Sequence, residues 1–479
     1  MPVGTPQNQP GFKMHQSAKN NLSLLTICSF LAAAFAATIM TTGCGSSDES
    51  EFESVAELST QPIASGTEAT DAQLATELEA LEKRAIELES TNQTKESAQV
   101  RAQIHQKISR TISPDSWQAK TAKQISDVAA RNSQLSAEDK QRLEYTKQLV
   151  TKFQNQIKFK SSEAARKTAD EIIANYERIY GQQTLATAEA LIQIGNIEYR
   201  AKESDSAISH FHRAVQTLKH LELAEHPQLE VAHTALGALY SRKKKFQPAV
   251  ANQKAATRIA ARLWGDTSIK YADQANQLGV MYHAAGESDT ALQILLASEA
   301  LRRKTLGAND PKVGHSLLNI ATVLKDMKRY DAATPTFQRA KASFVAGKQS
   351  SSLINQCNLN LATIYMLQNN FPLAEQHLAE VVASAQADRN AHPLQVAEYQ
   401  YRYSIALAKQ GKYETAQPMM ERVLQTQQQQ LGRGHAETVK TMQAYALLLK
   451  TTQQSVAAEK VYNTIRQVSY ETESNDFQR

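Results

Sequence analysis

The sequence predicts an all-α chain, a right-handed α-solenoid of stacked antiparallel helical hairpins with a helical lead-in at its N-terminal side. Three observations carry that expectation. A short motif recurs over the C-terminal two thirds of the chain at a spacing of 42 residues, broken once by a step of 41. Glycine (17) and proline (12) are scarce while Ala, Leu, Gln, Lys and Glu dominate, a mixture that favours long helices over sheets. At 479 residues the chain also exceeds what one hydrophobic core supports, so several domains or a repeat array are expected.

Residues 1–44 read as an address. Lys13 and Lys19 give a basic start, Leu22 to Met40 form an uncharged apolar run, and Thr41, Thr42 and Gly43 lead into Cys44. That order is what an export signal requires. The closing residues resemble the bacterial lipobox, although Thr41 stands where that motif has Leu or another large aliphatic residue. The resemblance implies cleavage before Cys44, lipidation of Cys44, and a chain anchored in the cell envelope facing the periplasm or the exterior. The nineteen residues from Leu22 to Met40 are just long enough to span a bilayer, so an uncleaved signal anchor is the alternative. Gly45 is not Asp, which removes the best-known inner-membrane retention signal and favours the outer membrane.

Residues 45–71 read as an acidic, disordered tether. Between Gly45 and Glu82 stand ten acidic residues and no Lys or Arg, whereas from Lys83 onward 51 basic residues face 38 acidic ones. A solvated leader is the plain reading, and a leader folded back over the array to shield it is the sharper one.

Residues 72–139 read as a helical lead-in or cap. Leu74, Leu78, Leu81, Ala85 and Leu88 keep a heptad-like spacing that suits either a coiled-coil seam between two chains or a capping helix pair over the first repeat. Ser116 before Trp117, and Ser136 with Asp139, mark further helix starts. Trp117 is expected in the core.

The array, residues 140–470, is read from its period. Gly195, Gly237, Gly279, Ala321, Ala362, Ser404 and Ala446 are successive anchors, with Phe153 a weaker member one step earlier. Twelve residues after every anchor stands an alanine: 165, 207, 249, 291, 333, 374, 416 and 458. Four residues later the position is large in most repeats, as in Phe211, Leu295, Phe337, Leu378, Met420 and Tyr462. Small residues let two antiparallel helices approach closely, and the large ones are expected to fill the space between neighbouring hairpins. Each hairpin leaves an apolar face uncovered, so about seven to eight of them should stack. Residues 471–479 are expected to be a disordered tail.

These marks resemble the tetratricopeptide repeat, in the long variety of 42 residues found in kinesin light chains and many bacterial repeat proteins. In keeping with that variety, Gly181, Gly265, Gly307 and Gly432 stand 28 residues after their anchors as helix C-caps, and Pro227, Pro311 and Pro393 occupy first helical turns. The resemblance implies a concave groove lined chiefly by the first helix (A) of each hairpin. Carried over by register, its candidate residues are Asn196, Arg200, Arg242, Asn276, His283, Asn319, Lys325, Asn360, Met366, Tyr401, Lys409 and Lys450. Such a surface is polar and mildly basic, suited to an extended protein or peptide partner. Ile192 stands where a lysine would complete the clamp for a peptide's terminal carboxylate, so recognition of that type is not expected.

Catalytic signatures are missing from the sequence: no Walker-type glycine loop, Gly-x-Ser-x-Gly elbow or kinase set occurs. His210, His212, His220, His226 and His233 cluster in the chain, but two residues apart on a helix is the wrong spacing for a zinc pair, and no carboxylate or cysteine is seen to complete a set. No cofactor or metal is expected. Arg242, Lys243, Lys244 and Lys245 form a basic run at a turn without the aromatic interleaving of a nucleic-acid site, so nucleic acid is not an expected partner. Cys357 lies on an apolar stripe as a small buried hydrophobe. The expected function is therefore non-enzymatic: an exported, membrane-anchored scaffold binding a protein or peptide partner, with envelope complex assembly as its expected setting. The alternative is an organiser of cell-wall (peptidoglycan) enzymes, and a hydrolase or metal-dependent enzyme is the least supported class. A small-molecule substrate is not expected.

Overall fold

A computed structural model of the chain describes residues 69–159 and 162–476. The expected signal, Cys44 and most of the acidic tether lie outside the described residues, as do the last three residues. The described residues form nineteen helices and no strand. Among them, no helix is long and apolar enough to cross a membrane. The chain divides into two compact units, Met1–Glu287 and Ser288–Arg479.

In the first unit, α1 (Ala69–Ser90), α2 (Thr94–Thr111) and α3 (Trp117–Ser133) form the lead-in. Then A and B helices alternate: α4 (Ala137–Lys158) and α5 (Ser162–Tyr180), α6 (Leu185–Arg200) and α7 (Ser204–His220), α8 (Pro227–Arg242) and α9 (Phe246–Trp264), and the A helix α10 (Ile269–Ala284). The second unit opens on the B helix α11 (Ser288–Leu306). It continues with α12 (Pro311–Asp326) and α13 (Tyr330–Ala346), α14 (Ser351–Leu367) and α15 (Phe371–Ala387), α16 (Pro393–Lys409) and α17 (Tyr413–Leu431), and α18 (Ala436–Thr451) and α19 (Ser455–Asp476). Helix α19 runs to Asp476, six residues into the segment expected to be an unstructured tail, and α1 begins at Ala69, inside the expected tether.

The 42-residue period fixes where helices stop and start. Every A helix from α4 to α18 ends five residues after its anchor, as Arg200 follows Gly195, and every B helix begins nine residues after it. In the seven turns whose residues are described, position +7 has positive φ: Lys202, Lys244, Gly286, Lys328, Asn369, Gly411 and Gln453. That left-handed residue lets the amide two residues beyond each A helix's C-cap reach back, as Lys245 N–H does to the Tyr240 carbonyl at 2.8 Å. Starts are capped as expected: Ser116 Oγ accepts from Ala119 N–H, Ser136 Oγ from Asp139 N–H, and Asp310 precedes Pro311 at the first turn of α12.

All eight alanines at +12 are buried, none more than 3% exposed. The large +16 residues pack in two directions. A Cβ added at Gly195 would lie 3.1 Å from the Phe211 ring, so Phe211 covers the anchor of its own hairpin. Leu378 also clusters with Ala406 of the next A helix, and Met420 with Leu448, which is the expected filling between hairpins.

The lead-in also differs from a cap over the first repeat. Leu78 and Ala85 are buried in one cluster with Ile104, Ile108, Trp117, Leu191 and Leu229, and Leu74, Leu81 and Leu88 pack against it. The heptad-like stripe is thus used within the chain, which leaves no seam for a coiled coil. Helix α3 lies along the turns that join B helices to the next A helices. At one end Arg131 donates to the Ile179 carbonyl (2.9 Å) and Asn132 accepts from the Tyr180 hydroxyl (2.8 Å). At the other, Lys120 reaches Glu222 (2.6 Å) and the Trp117 ring meets His226, the N-cap of α8, edge to face. Trp117 is core, as expected.

Candidate functional site

Within each unit, successive A helices lie side by side and exchange polar contacts. Between α8 and α10, Gln274 Nε2 donates to Glu230 Oε1 (2.8 Å) and Thr234 Oγ1 donates to Gln274 Oε1 (3.2 Å). Between α6 and α8, the Arg242 guanidinium lies 4.7 Å above the Tyr199 ring. Between α12 and α14, Lys325 Nζ donates to Asn360 Oδ1 (2.9 Å). Between α16 and α18, Lys440 Nζ stands 5.7 Å from the Tyr401 ring centre. Each of these contacts joins one A helix to the next, but the positions that meet differ from step to step.

The candidate residues divide by exposure. Arg200, Arg242, Lys409 and Lys450 are exposed; Asn196, His283, Asn319, Lys325, Asn360, Met366 and Tyr401 are half-buried. Asn276 is buried, so it supports the α10 face from within and does not present itself to a partner. Lys325 and Asn360, both candidates, are brought into contact with each other; Arg242 and Tyr401 find their partners in Tyr199 and Lys440, two residues the register argument passed over. Tyr199 lies one helical turn from Asn196, whereas Lys440 is ten residues from Lys450, the candidate on its own helix. Val280, Leu367 and Leu447 also stand exposed on A helices, so the surface is less uniformly polar than the candidate set implies.

Two carboxylates on A helices sit in unusual surroundings. Burial pushes the Glu189 carboxyl up to about 8. Burial also raises Glu230, against the opposing pull of hydrogen bonds from Trp264 and Gln274 and the charge of Lys270.

The histidine cluster holds one carboxylate that sequence spacing concealed. His210 Nδ1 lies 2.7 Å from Glu198 Oε2, and Ser206 Oγ donates to Glu198 Oε1 at 2.5 Å. Glu198 stands three residues after the Gly195 anchor, and its partners come from the facing B helix, α7. A nucleophilic triad needs the base on the hydroxyl; here serine and histidine both bind the carboxyl group, a structural arrangement that satisfies its buried oxygens. His212 turns instead to the Tyr240 hydroxyl (2.7 Å), and His226 caps α8 through Nδ1. Among the described residues no group of three or more His, Cys, Asp or Glu side chains could hold a metal ion. Cys357 is buried, with its thiol pushed up to about 12 by burial. Such surroundings can bind and orient a chain of amides and charges.

The tetratricopeptide repeat family matches residues 187–262, 271–344 and 395–469, which correspond to α6–α9, α10–α13 and α16–α19. The chain therefore carries tetratricopeptide repeats, and α4/α5 and α14/α15 share their register outside the matched stretches. Solved structures similar to it include BtubC (BKLC) from P. vanneervenii, 16% identical over 47% of this chain and 91% of that one, with a TM-score of 0.42. Another is the putative kinesin light chain with nearly identical TPR-like repeats from Podosopora anserina, 21% identical over 42% and 95%, TM-score 0.38. A third is PilF of Pseudomonas aeruginosa, 18% identical over 54% and 96%, TM-score 0.38. No curated protein matches the chain.

Proposed function

We propose that this array of tetratricopeptide repeats is an exported scaffold, tethered to a membrane of the cell envelope through Cys44, that holds a protein or peptide partner on its A-helix faces and takes part in assembling an envelope complex. One observation carries the reading. The A-helix faces present hydrogen-bonding and cationic side chains already fixed in place, Arg242 on Tyr199 above all, with no reacting group among them. A guanidinium stacked on a ring keeps its N–H edges free for a partner's carboxylate or carbonyl groups while its rotamer freedom is already spent. The exposed Leu367 and Leu447, 59% and 60% accessible, add apolar footholds on the second unit's A helices. Export and lipidation rest on the order of residues from Lys13 to Cys44.

The test is stoichiometric capture from detergent-solubilised envelopes with the full chain as bait. Tyr401→Ala with Lys409→Ala should release the partner while circular dichroism stays unchanged. Equal capture by the variant would remove the A-helix faces from the reading. Palmitate labelling that disappears in Cys44→Ala would place the anchor; label-free native chain would overturn the lipoprotein part and leave the scaffold part standing.

A further inference from the structure

In the first unit the turns from A to B helices carry an excess of exposed cations on one edge. Arg200 and Arg242 end α6 and α8, and Lys202, Lys244 and Lys245 stand in the turns that follow. Helix dipoles at A-helix C-termini welcome one cation per turn, a weak and saturable effect. Four consecutive cations, 242–245, exceed it. The acids on this edge are Glu163, Glu203, Asp205 and Glu287; Glu163 is paired with Lys167 and Asp205 with Lys243 (2.5 Å), and none stands in the 243–245 turn. Backbone chemistry sharpens the point. Lys202 and Lys244 occupy left-handed positions, φ 66° and 56°, where glycine or asparagine is the inexpensive choice and Gly286 and Gly411 stand in equivalent turns. A long charged side chain is therefore kept at the tip against the local preference.

The same edge bears an apolar element. In the first hairpin the residue after α4 is Phe159, 75% exposed and directly after the exposed Lys158. Its backbone is ordered, with the Phe159 N–H bonded to the Asn155 carbonyl. An aromatic ring in water beside a row of cations is the composition of a surface that meets headgroups with charge and the acyl boundary with a ring. Nucleic acid would call for rings interleaved among the cations, and an acidic peptide would find no enclosing groove on turn tips.

We infer that the A-to-B turn edge of the first unit, Lys158, Phe159, Lys202, Lys244 and Lys245, rests on an anionic lipid bilayer, with the lysines at headgroup phosphates and Phe159 at the acyl boundary. This goes beyond the scaffold reading and does not depend on it.

Co-sedimentation of the full chain with vesicles tests it, comparing pure phosphatidylcholine with a mixture containing phosphatidylglycerol. Lys13, Lys19 and the apolar run from Leu22 to Met40 contribute to binding in every variant, so the change in lipid preference between the parent chain and the turn variant reads the edge. Binding should favour the anionic vesicles and weaken with salt. Lys202→Gln/Lys244→Gln/Lys245→Gln should lower that preference at least tenfold, each cation being worth about fivefold. Gln453 stands naturally at the equivalent position, so the fold tolerates glutamine there. In Phe159→Trp, brominated lipids should quench emission beyond the parent chain's. Equal binding to both vesicles, an unchanged triple variant, or capture by soluble polyglutamate without lipid preference would each overturn the inference.

Discussion

Lys325 on α12 and Asn360 on α14 are joined across neighbouring A helices by a 2.9 Å hydrogen bond, Nζ to Oδ1. Two side chains that register alone offers to a partner are thus already partners of each other. Asn360 also donates to the Gln356 carbonyl, which fixes its amide orientation. Asn360→Ala should lower stability by about 0.5–1 kcal/mol. A double-mutant cycle with Lys325→Ala in urea should give a coupling of similar size; additive effects would show that the bond contributes nothing.

Ala333, fully buried at its hairpin crossing, has no space beside it. Ala333→Leu should cost about 1–3 kcal/mol through overpacking. Thermal unfolding checks it, and an unchanged midpoint would mean that α12 and α13 can separate without penalty.

At the left-handed turn positions the expected signs are opposite. Lys328→Gly removes a strained φ of 60° and should stabilise by up to about 1 kcal/mol, whereas Gly411→Ala, at φ 76°, should destabilise by about the same amount. Chemical denaturation of the two variants side by side gives the comparison.

Glu189 makes a pH-dependent penalty. Its folded carboxyl titrates at about 8, far above the ordinary glutamate value, so between the two the unfolded chain releases a proton that the folded chain keeps. Unfolding therefore becomes easier as pH rises through that window. Glu189→Gln should stabilise little at pH 4.5 and most above pH 8. The side chain is only partly covered, so we expect about 1–2 kcal/mol, well below the full shift. Urea midpoints at pH 5 and 8.5 decide it.

His226 has the opposite sign. Burial lowers its ring to about 4, and its Nδ1 must stay unprotonated to accept from Gln228 N–H at the start of α8. The unfolded histidine takes up a proton near pH 6.5. Stability should fall as pH drops from about 6.5 towards 4, and His226→Asn, which can still cap, should flatten that fall in acid melts.

The period made the hairpins legible because helix ends, caps and the alanine crossings are all local to one 42-residue unit. Partners on a facing helix were harder to read. No carboxylate was seen beside the histidines because Glu198 meets His210 and Ser206 only across a turn. On the A-helix faces the register gave the positions, but Tyr199 under Arg242 and Lys440 over Tyr401 depend on how one helix is offset from the next. Helix α3 carried no periodic mark at all: its contacts join residues as far apart as Lys120 and Glu222, 102 positions in sequence.

In a simple stack each hairpin is coupled to its two neighbours, and unfolding can spread from either end one repeat at a time. Helix α3 breaks that independence, since its ends grip the turn after α5 and the turn after α7. The first three hairpins are thereby pinned to one rod, and they should melt as a single cooperative block. Closing a contact over 102 residues also slows the search for the folded state. A truncation that removes α3 would accordingly loosen three hairpins together, not the first alone.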